Sequence, residues 1–93
     1  MTIRWTHAAL TDLQNISRQI EQDRNLTTAN RVCRTIYDAI QMLRHHPQSG
    51  KPGIEEGTRE LVIPKSPYLV AYRVLESNVV QVLRIWHGAQ NRS

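Results

Sequence analysis

Two stretches in the first half of the chain repeat apolar residues with the period of a helix. Thr6 stands where a helix N-cap is expected, just before the first stretch. The second stretch follows a break around residues 23–26 and is closed by Pro47 and Gly50. The pattern predicts two long amphipathic helices that form a hairpin. Their apolar positions are Ala9, Leu13, Ile16 and Ile20, then Ala29, Val32, Cys33, Ile36, Ile40 and Leu43.

The second half of the chain is predicted to form strands. Apolar runs rich in Val, Ile, Leu and Tyr cover Thr58–Ile63, Tyr68–Leu75 and Val79–Trp86, and Thr2–Trp5 fits a short first strand. Residues 46–57 carry two prolines and three glycines, which indicates an irregular loop. The expected order is β-α-α-β-β-β, an α+β fold in which the helical hairpin packs on one face of a small antiparallel sheet.

The last hairpin permits a prediction of side-chain directions, provided that residues 76–78 form a turn with two central residues. A bulge or a three-residue turn would change this register. Arg73 and Arg84 are then expected to converge on one face, with His87 approaching them only around the rim. One face would hold Leu69, Ala71, Arg73, Val82, Arg84 and Trp86, and the other Tyr68, Val70, Tyr72, Leu83, Ile85 and His87.

Length and composition predict one domain over residues 1–93 and favour a cytoplasmic protein. The chain is 40% apolar and 22% charged, and no segment approaches the roughly 20 apolar residues that cross a bilayer. No secretory signal is visible at the N-terminus. The net charge of +4 favours an anionic partner, and ten of the twelve cationic residues are arginines, which suit phosphate or carboxylate.

Three arginines and a histidine are the candidate functional residues. Arg59, Arg73 and Arg84 lie in the predicted strands, where they could bind phosphate or stabilise the transition state of RNA cleavage. The alternative is that each stays solvated on the open sheet face or pairs with a neighbouring carboxylate, such as Glu55, Glu56 or Glu60. His87 ends the last strand and could act as general acid or base, or simply donate to a backbone carbonyl.

Other chemistry is not indicated by the sequence. Adjacent His45 and His46 point about 100° apart on a helix, and neither His7 nor Cys33 offers a third metal ligand at a convincing spacing. The single cysteine excludes an internal disulfide. No phosphate-binding glycine loop or Ser-His-Asp arrangement is present, so neither a metal nor a cofactor is expected.

In its order of motifs the chain resembles the RelE/ParE superfamily of bacterial toxins. The resemblance spans nearly the whole length and adds three short segments to the helical hairpin. These are Gly-Thr-Arg-Glu-Leu at 57–61, Pro67-Tyr68 leading to Tyr-Arg-Val at 72–74, and Leu-Arg-Ile-Trp-His-Gly at 83–88. The resemblance implies a growth-inhibiting toxin of a type II toxin-antitoxin system, a class that includes plasmid-stabilising modules.

The resemblance leaves two targets open. ParE-like members inhibit DNA gyrase, whereas RelE-like members cleave messenger RNA on the ribosome with basic residues on the sheet. Only as a ribonuclease would Arg59, Arg73, Arg84 and His87 be catalytic; target binding would involve Lys65 and the three arginines. No tyrosine follows His87, and the Leu-Arg-Ile-Trp-His-Gly ending looks like ParE-type tails, so ParE-like gyrase inhibition is favoured. A toxin fold that has lost activity and serves only as an interaction module is a third possibility.

The resemblance also implies partners. A cognate antitoxin is expected to neutralise the toxin by covering the basic rim of the sheet and the helical hairpin. Operator DNA would be reached only indirectly, through that antitoxin, and no membrane is expected to take part.

Overall fold

The computed structural model of the protein describes residues 1–76 and 78–88. Both helices and all four predicted strands are present, and a two-residue strand and one turn of 3-10 helix (Met42–Arg44) were not predicted. The elements are β1 (Thr2–Trp5), α1 (His7–Asp23), α2 (Leu26–Gln41), β2 (Lys51–Pro52), β3 (Arg59–Val62), β4 (Tyr68–Leu75) and β5 (Val79–His87).

The strands form one sheet in the order β1-β5-β4-β3-β2. All neighbours are antiparallel except β1 and β5, which run parallel with Thr2 opposite Val79 and Trp5 opposite Val82. The α+β prediction is confirmed, but the sheet is antiparallel only from β5 to β2. Because β3, β4 and β5 follow one another as antiparallel neighbours, β5 runs in the opposite direction to β4. β1 runs in the same direction as β5.

The helical hairpin covers one face of the sheet, as predicted. Each helix begins at a side-chain cap: Thr6 Oγ1 accepts from Ala9 N at 3.1 Å, and Asn25 Oδ1 accepts from Thr28 N at 2.7 Å. No helix lies on the opposite side of the sheet among the described residues; that side is called the open face below. The main core between hairpin and sheet consists of Ala9, Ile36, Ile40, Ile63, Val70, Val82 and Ile85.

The register of the last hairpin departs from the prediction at two points. Leu75 pairs with Val79, so three residues connect the strands, and Asn78 adopts a φ of 62° that asparagine tolerates well. Residue 77 of this turn lies outside the described residues. Further along, Ala71 pairs with Arg84 but Tyr72 with Val82, which leaves Leu83 as the extra residue of a bulge.

The three-residue turn shifts the register of β5 by one residue and the bulge shifts it back, so most of the predicted side-chain directions hold. Val82 is fully buried in the core between the helices and the sheet. Leu83 lines a depression on the open face with Ala71 and Trp86. The predicted faces of Val82 and Leu83 were therefore wrong, because the three-residue turn shifts the register as far as Val82 and the bulge at Leu83 restores it. Beyond the bulge, Arg84 and Trp86 return to the open side, while Ile85 and His87 face the helices.

Tyr72 fastens the loop after α2 to the sheet. Its side chain is fully buried, and its hydroxyl donates to Pro47 O at 2.8 Å while accepting from Gly50 N at 2.9 Å. A Cβ on Gly50 would lie 2.7 Å from the tyrosine ring, so this close approach requires glycine. One hydroxyl thus satisfies two backbone groups of a loop that has little regular structure.

We expect Tyr72→Phe to lower the free energy of unfolding by about 1–3 kcal/mol, because the Pro47 carbonyl and the Gly50 amide lose their partner in a buried site. Urea unfolding of the purified chain measures this loss. Tyr37→Phe is the matched control, since Tyr37 is 48% exposed, and it should change stability by less than about 0.5 kcal/mol. Equal effects of the two substitutions would contradict the role assigned to the Tyr72 hydroxyl.

Candidate functional site

The second half of β5 is bordered by α1 instead of by a strand. β1 ends opposite Val82, so the outward backbone groups of β5 beyond that point need other partners. Thr6 N donates to Val82 O at 3.0 Å, and Thr6 Oγ1 donates to Leu83 O at 2.9 Å. Two turns along α1, Asp12 Oδ2 accepts from Ile85 N at 2.9 Å. Side chains of the helix therefore replace the missing strand.

Asp12 also holds Arg84. Arg84 Nε donates to Asp12 Oδ2 at 2.7 Å and Arg84 Nη2 donates to Asp12 Oδ1 at 3.0 Å, so the pair is bidentate. The hydrogen bond to Asp12 raises the pKa of Arg84 above its ordinary value, and burial opposes this only in part. The guanidinium lies 5.8 Å from the centre of the Trp86 ring. Arg84 is thus a fixed cation at the edge of the sheet.

Arg84 and His87 line one depression between α1 and β5, with a volume of about 410 Å³. His87 contacts Tyr68 edge to face, with 5.5 Å between ring centres. Burial, reinforced by the nearby Cys33, raises the pKa of Tyr68, so its hydroxyl stays protonated at neutral pH. The depression also includes Asp12, Asn15, Ile16, Gln19 and Ile85.

Arg59 lies apart from this depression. It pairs with Tyr72 across β3 and β4, on the side of the sheet that faces the helices. Its Nη1 donates to Gly50 O at 2.7 Å and to Gln48 O at 3.4 Å. Arg59 and Tyr72 therefore fasten the same loop, and the Arg59 guanidinium is used for backbone contacts.

Arg73 and Lys65 occupy two further places. Arg73 pairs with Gln81 on the open face, and no hydrogen bond or ion pair of Arg73 is found within residues 1–76 and 78–88. Lys65 is exposed in the connection between β3 and β4, with a φ of 61°. The five candidate residues thus divide among four locations, and only Arg84 and His87 come together.

Asp12 is the residue that sequence reasoning missed. Arginine partners were sought among the glutamates near β3, whereas the partner of Arg84 comes from α1. A usable signal was present, because Asp12 lies three residues after Ala9 and four before Ile16, at an apolar position of the helical repeat. A carboxylate at such a position requires a partner on the packed side of the helix.

The described part of the chain offers no group of three histidine, cysteine or acidic residues that could hold a metal ion. Its helices include none that is both long and apolar enough to span a membrane.

This arrangement, a five-stranded sheet with a helical hairpin bound to its last strand, matches known toxins. A sequence model of the ParE toxin of type II toxin-antitoxin systems, parDE, matches residues 3–92. The chain is 41% identical over 88 residues to the candidate toxin Y4kP of Sinorhizobium fredii, a match that covers 95% of this chain and 88% of the relative. Toxin RelE1 of Caulobacter vibrioides is 36% identical over 72 residues, which is 75% of each chain.

A solved structure shares the fold. The chromosomal ParDE toxin-antitoxin system from P. aeruginosa contains a chain that superposes with a TM-score of 0.85 at 24% identity, over 94% of this chain and 95% of that chain. The protein belongs to the ParE toxin family of type II toxin-antitoxin systems, within the RelE/ParE superfamily. The resemblance seen in the sequence is therefore confirmed.

We expect Asp12→Ala to destabilise the protein by about 2 kcal/mol, because it removes the acceptor of both the Arg84 guanidinium and the Ile85 amide. Arg84→Ala should cost less than about 1 kcal/mol, since the Arg84 side chain is 46% exposed and its pair is partly screened. Chemical unfolding of both variants measures the difference.

Asp23→Ala serves as the control for this comparison. Asp23 is exposed at the end of α1 and accepts only from Gln19 Nε2 among the hydrogen bonds found, so its loss should be nearly neutral. A larger cost for Arg84→Ala than for Asp12→Ala would show that the ion pair matters more than the bond to the β5 backbone.

Proposed function

We propose that this chain is the toxin of a type II toxin-antitoxin module, that it arrests bacterial growth until a cognate antitoxin binds it, and that it acts by inhibiting DNA gyrase. Membership of the ParE family supports the first part. A solved structure that shares its fold is that of a ParDE toxin-antitoxin system, which supports an antitoxin as partner. The choice of gyrase over messenger RNA rests on the positions of the candidate catalytic groups.

The separation of Arg59, Arg73 and His87 is the observation that carries this choice. RNA cleavage through the 2'-hydroxyl needs an acid, a base and a cation around one phosphate, all within hydrogen-bond reach. Arg59 pairs with Tyr72 and His87 with Tyr68, so four residues of β4, roughly 13 Å, separate their positions. Arg73 lies on the opposite face of the sheet. One phosphate does not reach all three groups.

The depression between α1 and β5 does not supply a complete catalytic set either. The Arg84 guanidinium binds Asp12 with two hydrogen bonds, and a substrate phosphate would have to compete with that carboxylate. The raised pKa of Tyr68 makes its hydroxyl a poor general base. A surface that binds its target without cleaving it fits these constraints better than a nuclease site.

A RelE-like ribonuclease is the second candidate. The 36% identity to toxin RelE1 favours it, as does the presence of Arg84 and His87 around one depression. In that case His87 would exchange protons with the RNA, and Arg84 would leave Asp12 to bind the phosphate.

We further propose that the antitoxin covers the basic rim of the sheet and the outer side of the helical hairpin. The hairpin exposes large apolar side chains at Leu10, Leu26 and Tyr37, which are 46%, 55% and 48% exposed. The rim presents Arg73 and Arg84. An antitoxin complex in which both arginines keep their full solvent exposure would contradict this placement.

The deciding experiment is to induce the wild-type chain without its antitoxin and to follow plasmid supercoiling, DNA breaks and transcript ends in the first minutes of growth arrest. We expect loss of supercoiling or DNA breakage with intact transcripts. Purified gyrase and a translation extract, each treated with the purified chain, test the two targets directly, and gyrase alone should be inhibited.

His87→Ala supplies the matched comparison, because it removes the acid-base group of the nuclease mechanism. It should leave transcripts as intact as the wild type does. Early transcript cleavage that disappears in His87→Ala would overturn the gyrase proposal in favour of the nuclease. Normal growth on induction of a folded wild-type chain would contradict a toxic activity altogether.

A further inference from the structure

A row of polar side chains crosses three strands on the open face. Arg4 of β1 pairs with Gln81 of β5, and Gln81 pairs with Arg73 of β4. Ile3 and Trp5 pack against the helices, so Arg4 points the other way, as does Arg73 beside the buried Tyr72. Two strand spacings, about 10 Å, separate the two arginine positions. Sequence reasoning did not select Arg4, because the parallel pairing of β1 was not predicted.

The two arginines of the row are not held by an ion pair among the described residues. Arg84 has Asp12, but neither Arg4 nor Arg73 makes an ion pair or a side-chain hydrogen bond within residues 1–76 and 78–88. The neighbouring open-face positions on β4 and β5 are apolar: Ala71, Leu75, Val79 and Leu83. Two guanidinium groups on either side of one amide therefore have their donors available, and a carboxylate or phosphate can bind them through charge-assisted hydrogen bonds.

Acidic and apolar groups border the row on one side. A depression of about 240 Å³ adjoins Ala71, two residues from Arg73, and its other lining residues are Ile54, Glu55, Thr58, Glu60, Leu83, Arg84 and Trp86. The Arg84 cation is already held by Asp12. The exposed carboxylate of Glu55 repels another carboxylate there, while the side chain of Ile54, which is 63% exposed, offers apolar contact. A bound segment would thus direct its acidic groups to the row and an apolar side chain, about 7 Å away, towards Ile54.

We propose that the row formed by Arg4, Gln81 and Arg73 binds an acidic protein segment with an apolar residue beside its carboxylates, and that this segment belongs to the antitoxin. The proposal rests on the proposed function only for the name of that partner. A protein segment fits better than nucleic acid, because two cations bordered by apolar side chains give a short site without a phosphate track. The row itself contains no aromatic ring on which a base could stack, and the Trp86 ring in the adjoining depression already lies against the Arg84 guanidinium.

The test uses a labelled peptide of three Leu-Ser-Glu-Ser repeats, whose Leu and Glu fall on one side of an extended chain. Its binding to the whole protein is followed by fluorescence anisotropy. Arg4→Gln with Arg73→Gln should raise the Kd at least about tenfold, since two charge-assisted contacts are lost. Arg18→Gln with Arg31→Gln removes the same charge from the exposed sides of the helices and should leave the Kd within about twofold.

Two further variants test the apolar half of the site. Ile54→Ser should weaken peptide binding by about fivefold, which corresponds to the loss of roughly 1 kcal/mol of apolar contact. Met42→Ser is its control, because Met42 is also exposed but lies in the 3-10 helix after α2, and it should leave the Kd within about twofold. A peptide with glutamine in place of glutamate should bind the wild-type protein no better than the double arginine variant binds the acidic peptide.

Three results would overturn the inference: no binding of the acidic peptide, equal losses in the two double variants, or arginine-dependent binding of a single-stranded oligonucleotide in place of the peptide. Thermal melting of each variant verifies that it is folded. The growth-arrest experiment is separate. A chain that arrests growth but does not bind the peptide through its arginine row would therefore refute only this inference. Conversely, peptide binding by a chain without toxicity would refute only the proposed function.

Discussion

The backbone of β5 is the constraint on which the rest of the structure depends. One border of this strand is paired along its whole length with β4, but the other border is paired with β1 only as far as Val82. The remaining outward groups cannot stay buried without partners, and Thr6 and Asp12 of α1 provide them. The bulge at Leu83 turns the strand at the point where its neighbour changes from a strand to a helix.

The replacement of β1 by α1 as the neighbour of β5 affects both faces of the sheet. On the helix side, it brings α1 close enough to form the depression around Arg84 and His87, and it fixes Arg84 through Asp12. On the open face, it places Leu83 beside Ala71 and leaves Arg4, Gln81 and Arg73 in one row. The path of β5 therefore separates Arg84, at the border with α1, from Arg4 and Arg73 on the open face.

Local patterns in the sequence predicted the helices and strands well, because helix period, the cap at Thr6 and alternation in the strands are determined within a few residues. The parallel pairing of β1 and the Asp12 to Arg84 contact were missed, since each joins residues more than seventy positions apart. A bulge was considered, but its position at Leu83 was not predicted. The roles of the candidate site residues stay predictions. Their positions show why spacing along the chain could not predict a shared site, because Arg59 and Arg73 lie in neighbouring strands but on opposite faces of the sheet.

The pairing of the first strand with the last has a consequence for biosynthesis. Thr2 pairs with Val79, and Thr6 Oγ1 bonds to Leu83 O, so one border of β1 has no strand partner until residues 79–87 have left the ribosome. The helical hairpin can form earlier from local contacts, whereas the sheet to which it binds closes through the most distant contacts in the chain. A nascent chain of this protein can consequently form its two helices and pair β2, β3 and β4, but the complete sheet, and with it the complete surface of the toxin, exists only after synthesis has passed the final strand.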